Sequence, residues 1–129
     1  MTEITMKKER PKHLDLRAIK QPVPAIASIL HRISGAGLFL MLPFLIFLFE
    51  LSLDSSLGFA MAQAFVAHPL VKLVLIGLLW AFLHHFCMGV RILFLDLNIG
   101  TDLKPARASA KAVIVASLLL TVILGVRLW

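Results

Sequence analysis

The chain has 129 residues, 60% of them hydrophobic, with a mean hydropathy of +0.93 and a formal net charge of +6. A soluble domain of this length cannot hide so much apolar surface, so the composition reads as a small helical membrane domain with no room for an extramembrane catalytic domain. The basic excess then reads as membrane topology at anionic leaflets rather than nucleic-acid binding, and a single cysteine, Cys87, excludes an internal disulfide.

Residues 1–23 form a polar, basic tail. Its opening, "MTEITMKKERPKHLDL", has no apolar segment of a secretory signal and carries too many acids for an organelle transit peptide. The expectation is an unprocessed bacterial inner-membrane protein. "QPVP" breaks the preceding segment, and proline is tolerated in a first helical turn, which predicts helix 1 over residues 24–51. At 1.5 Å per residue that helix is about 42 Å long. It exceeds a hydrocarbon core of about 30 Å, so its first two turns belong to the cytoplasmic interface. Pro43 is a candidate kink. Two further uncharged runs predict helices over residues 69–96 and 106–128, with 50–72 as the loop between the first two.

The expected fold is therefore all-α: three transmembrane helices in one anchor domain, residues 24–129, within a larger helical bundle. Membrane barrels need shorter alternating segments and more of them. Of the Lys and Arg residues, seven precede helix 1 or lie in its first turns and four lie between helices 2 and 3, whereas only Lys72 and Arg127 mark the other side. The positive-inside rule then puts the N-terminus in the cytoplasm and the C-terminus in the periplasm.

Two polar sets interrupt the apolar runs. Ser28, His31 and Arg32 in "SILHRISG" share one sector of helix 1. A snorkelling arginine with a capping serine is one reading; an anion or polar-ligand site at the cytoplasmic interface is the other. The "SGAG" at residues 34–37 lets a helix or a flat ligand approach closely. Helix 2 carries "LHHFCMGVRILFLD", where His85 lies about 16 Å from Asp96 along the axis, well inside the bilayer. An intramembrane histidine is either bonded to a neighbouring helix or functional, and neutral imidazole suits iron. Gly89, four residues on, leaves room for a porphyrin face. Met88, three residues away on the same helix, cannot reach the opposite side of one iron and reads as packing. On this reading a second axial ligand comes from elsewhere, and His31, Arg32 and Arg91 lie between His85 and the cytoplasm, where cations would meet haem propionates or orient a quinone headgroup. His84 points about 100° away from His85, toward a neighbouring helix. His13 and His68 fall in loops, and Cys87 reads as a small apolar filler.

"RPKHLDL", "SILHRISG", "HFCMGVR" and Asp96, in this order, resemble the cytochrome b membrane-anchor subunit of succinate dehydrogenase, respiratory complex II, over nearly the whole chain. The resemblance implies that His85 is an axial ligand of haem b and that the second ligand belongs to the other small anchor subunit. It places Ser28 and Arg32 in the ubiquinone-reduction site and His31 near a haem propionate. Arg91 is a further polar contact, and Asp96 is a candidate proton relay. Two departures stand out: Ile92 occupies a position where many members have histidine, and His84 adds a second histidine beside His85.

With no flavin motif and no iron–sulfur cysteine set, the chain cannot oxidise succinate alone. The implied partners are the second anchor, an iron–sulfur subunit, a flavoprotein subunit and the lipid bilayer, with no nucleic acid. The implied setting is electron transport linked to the tricarboxylic acid cycle. The anchor of a quinol-oxidising fumarate reductase and a small non-redox scaffold or transport protein are the alternatives.

Overall fold

In a computed structural model the described residues are 18–129, and they are all helical apart from turns. Four helices succeed one another: α1 Val23–Asp54, α2 Ser56–Ala67, α3 Pro69–Asp96 and α4 Leu103–Leu128. Three of them, α1, α3 and α4, are long and apolar enough to cross a membrane. The expectations for the tail over residues 1–17, His13 among them, lie outside the described residues.

The helix boundaries obey local chemistry. Pro22 precedes α1 in an extended conformation and Pro24 falls in its first turn, where no amide hydrogen is needed. Pro43 leaves α1 as one continuous helix through Asp54. The stretch expected to be a loop, residues 50–72, instead continues α1 and then forms α2. The sequence "SLGFAMAQAFVA" is rich in helix formers but at 12 residues is too short to register as a span. Ser55 starts it by accepting a bond from the Gly58 amide at 3.0 Å. His68 caps α3 in the same way, its Nδ1 accepting from the Leu70 amide at 3.3 Å. Asn98 ends α3 in the left-handed region at φ 59°, with the Ile99 amide donating to Phe94 O and the Asn98 amide to Leu95 O. After this turn α4 begins at Leu103 rather than near 106, since Pro105 is accommodated in its first turn.

α1, α3 and α4 pack against one another, and α3 runs antiparallel to the other two. Contacts at His84 and His85 meet Ala27 and His31 of α1, while Leu70, Val71, Met41 and Phe44 line a common cavity nearer the other end. On the α4 side, Arg91 meets Ser109, His84 meets Ser117, and Lys72 sits 5.7 Å above the Trp129 ring. α2 folds back along α1, with Phe65 edge-on to Phe44 at 5.9 Å.

The packing is that of membrane helices. Among the described residues the buried positions are Ala27, Ser34, Gly58, Ala62, His84, Met88, Arg91, Ala110, Val113, Ser117 and Thr121, whereas most large apolar side chains point outward. Small and polar residues let helices approach and bond across their interface, and lipid or protein partners take the apolar exterior.

Candidate functional site

The site is built where one turn of α1 meets two consecutive histidines of α3. Gly35 makes the approach possible: a Cβ there would come within 2.6 Å of His85 Cε1. The imidazole of His85 therefore lies against the α1 backbone. Its Nδ1 is 3.0 Å from the His31 carbonyl, which also accepts from Ser34 Oγ at 2.9 Å. A carbonyl only accepts, so the bond to it puts the ring proton of His85 on Nδ1. In the neutral ring Nε2 then keeps its lone pair, the state required of a metal ligand whose other nitrogen is oriented by a backbone carbonyl.

His31 stacks face to face on His85, ring centroids 4.1 Å apart and planes within 9°. This corrects the expected order of depths. His31 stands beside His85 rather than between it and the cytoplasm, because the Gly35 cradle brings that turn of α1 onto the ring. Arg32 is exposed on the outside of α1.

Ser28 is half-buried one turn before Arg32. The hydroxyls of Ser34, Ser52, Ser109, Ser117 and Thr121 all donate to a carbonyl of their own helix. Ser28 makes no such bond among the described residues, so its proton is available to a ligand.

The two histidines differ sharply in surroundings. His85 is half-buried, whereas His84 is 0% exposed. His84 Nε2 faces Ala27 O at 3.4 Å, Nδ1 faces Ser117 Oγ at 3.5 Å, and the ring stacks on Trp80 at 5.4 Å. Both nitrogens of His84 are thus occupied within this chain. That is the contact with neighbouring helices expected from its direction on α3, and it separates the two histidines in a way their adjacency in sequence could not.

Arg91 is buried too, and it faces α4. Its Nε donates to Ser109 Oγ at 2.9 Å and its Nη2 to Ala106 O at 3.1 Å, with Nη1 3.8 Å from Met88 Sδ. Met88 and half-buried Cys87 belong to the apolar contact between helices, together with Ala27, Ala110 and Val113. Asp96 is exposed at the last residue of α3. Ser109 and Ser117, the α4 partners of Arg91 and His84, were missed by sequence reasoning. A serine in a uniformly apolar helix carries no periodic signal of its own.

The residues around His85 fit a haem group. Among the described residues no three His, Cys, Asp or Glu side chains gather as a metal site. His85 offers an oriented Nε2, and a Cβ at Gly89, one turn further along α3, would meet nothing within 4 Å.

The family model described as succinate dehydrogenase/fumarate reductase transmembrane subunit matches residues 6–124. The chain belongs to this family. As a member of the succinate dehydrogenase/fumarate reductase transmembrane subunits it is similar to the succinate dehydrogenase cytochrome b556 subunit of Coxiella burnetii, 36% identical over 125 residues that cover 96% of this chain and 100% of that one. It is similar to the proteins of the same name from Rickettsia typhi, at 30% identity with 92% of each chain covered, and Paracoccus denitrificans, at 32% with 88% of each covered. Family membership and three candidate spans make it a multi-pass membrane subunit, and they set aside a non-redox scaffold or transport protein.

Proposed function

We propose that this chain is the haem b-binding anchor of a bacterial succinate:ubiquinone oxidoreductase in the inner membrane, with its N-terminus in the cytoplasm. The observation that carries the reading is the Nδ1 bond from His85 to His31 O, which leaves Nε2 of an intramembrane histidine free to ligate. The relatives' shared name, cytochrome b556 subunit, supports haem. It also favours succinate oxidation over the fumarate-reducing direction that the family description equally covers.

In this reading the chain's own residues bind and orient. Haem, when bound, supplies a one-electron carrier within the membrane. His85 would hold it through Nε2, and the second anchor subunit would supply the other protein ligand. His31 stacks on the ligand ring and offers its own ring nitrogens to a propionate. Arg91 reaches that edge only with donors left over from its bonds to α4.

Ser28 donates its free hydroxyl proton to a ubiquinone carbonyl, and Arg32 stabilises negative charge on that oxygen as electrons arrive, an effect strongest in a partly dry site. Asp96, about three turns from His85 along α3, stands where protons consumed by the reduction are taken from the cytoplasm. Electrons come from succinate through a flavoprotein and an iron–sulfur subunit docked on the cytoplasmic face.

The test is a reduced-minus-oxidised spectrum and a succinate–ubiquinone assay on the purified complex. A b-type band with quinone reduction by succinate is expected. An assembled complex without haem would overturn the reading.

A further inference from the structure

Consecutive histidines of α3 grip successive turns of α1. His85 bonds the His31 carbonyl, and His84 faces the Ala27 carbonyl one turn earlier. Ser28 lies between these two fixed points. Ala27 is itself 0% exposed and packed with Met88 and Ala110, so the backbone just before Ser28 has no freedom to move away. On its other side Nδ1 of His84 lies 3.5 Å from Ser117 Oγ of α4 and, with the ring proton on Nε2 toward Ala27 O, accepts from the Ser117 hydroxyl, which it shares with Ile114 O at 2.9 Å. Trp80, one turn earlier on α3, stacks on the ring. One buried side chain therefore ties α1, α3 and α4 together at the level of Ser28.

We propose that His84 is a positioning residue for the quinone site: through the Ala27 carbonyl and Ser117 it fixes the α1 turn that presents Ser28. The proposal rests on the assignment of Ser28 to that site. It gives His84 a role separate from that of His85, with the quinone pocket and not the haem as its beneficiary. The leucine variant fills much of the same volume but donates no bond, so the α1 turn loses its tie at Ala27 while the bundle stays packed. Glutamine places an amide nitrogen where Nε2 stands and restores the donor.

The experiment uses the assembled four-subunit complex in membranes. KM and kcat for a short-chain ubiquinone, the haem difference spectrum and electron transfer from succinate to a soluble artificial acceptor are measured for His84→Leu, His84→Gln, Ser117→Ala, Ser28→Ala and the His84→Leu/Ser28→Ala pair. His84→Leu is expected to raise KM roughly two- to tenfold, the range given by one hydrogen bond of ordinary strength. kcat, the haem band and the artificial-acceptor rate should hold, and glutamine should recover most of the affinity. The double variant should be no worse than Ser28→Ala alone, since residues acting through one another are not additive. Ser117→Ala, which loosens the ring from the other side, should shift KM in the same direction and carries the test if the leucine variant does not assemble. An unchanged KM in His84→Leu or, failing its assembly, in Ser117→Ala, beside a clear Ser28→Ala defect, overturns the proposal alone, as does simple additivity. Normal quinone kinetics in Ser28→Ala overturns the assignment of Ser28 and the proposal with it.

Discussion

His31 and His85 form a parallel pair, 4.1 Å between ring centroids, in which the backbone carbonyl of the first also holds Nδ1 of the second. One residue of α1 thereby sets both the rotation and the tautomer of the imidazole on α3. Because the carbonyl is main chain, replacing the His31 side chain leaves the bond in place and removes only the stacking partner. His31→Ala is expected to keep haem in the complex while shifting its midpoint potential, read by redox titration. Complete loss of haem would show that the side chain is itself required for binding.

His85→Ala should abolish or shift the b-haem band of an assembled complex. His84→Ala should retain the band while lowering thermal stability, because it empties a fully enclosed position. Loss of the band only in the His84 variant would transfer the ligand by one residue.

Gly35→Ala provides an independent probe without touching any ligand. The new Cβ would lie 2.6 Å from His85 Cε1, so the ring must move. Haem content per assembled complex should fall, measured as the pyridine haemochrome against protein. Full occupancy with an unaltered spectrum would mean that the ring does not sit against α1.

The three spans and the paired histidines were legible in the sequence, because long uncharged runs and an intramembrane imidazole both have few explanations. The division of labour within "HH" was not. A 100° offset puts the rings on different faces, but only the neighbours of each face distinguish an enclosed tie from an open ligand. The same holds for Arg91. As a cation near the cytoplasmic end of a span it reads as a propionate contact, whereas its partners on α4 depend on where the turn at Asn98 sends the chain. α2 escaped notice because a 12-residue apolar helix is neither a span nor a polar loop.

Arg91→Leu tests that second case. It removes bonds to Ser109 and the Ala106 carbonyl, each charge-assisted bond being worth about 1.5–3 kcal/mol. The melting temperature of the complex should drop by several degrees, with Arg91→Lys intermediate. A changed haem spectrum at unchanged melting temperature would instead make the propionate its main partner.

For the quinone, Ser28→Ala and Arg32→Leu should depress ubiquinone reduction while electron transfer from succinate to a soluble acceptor persists. If both keep normal turnover and inhibitor sensitivity, the site lies elsewhere. If Arg32→Leu alters only the haem, that arginine serves the propionates.

Single residues, Ser55 and His68, join α1 to α2 and α2 to α3. Joints this short hold no slack, so α2 acts as a fixed-length spacer that indexes the rotation of α3 against α1. Each residue added to α2 rotates the start of α3 by about 100°. A one-residue insertion near Gln63 would therefore swing His84 and His85 off the face that meets Ala27 and His31, some twenty residues away in the chain. The turn between α3 and α4 does not set the register of His84 and His85 against α1, although it sets that of Ser109 and Ser117 against α3. Changes in length around Thr101 should therefore spare the bond between His85 and the His31 carbonyl, whereas changes between Ser55 and His68 should abolish it.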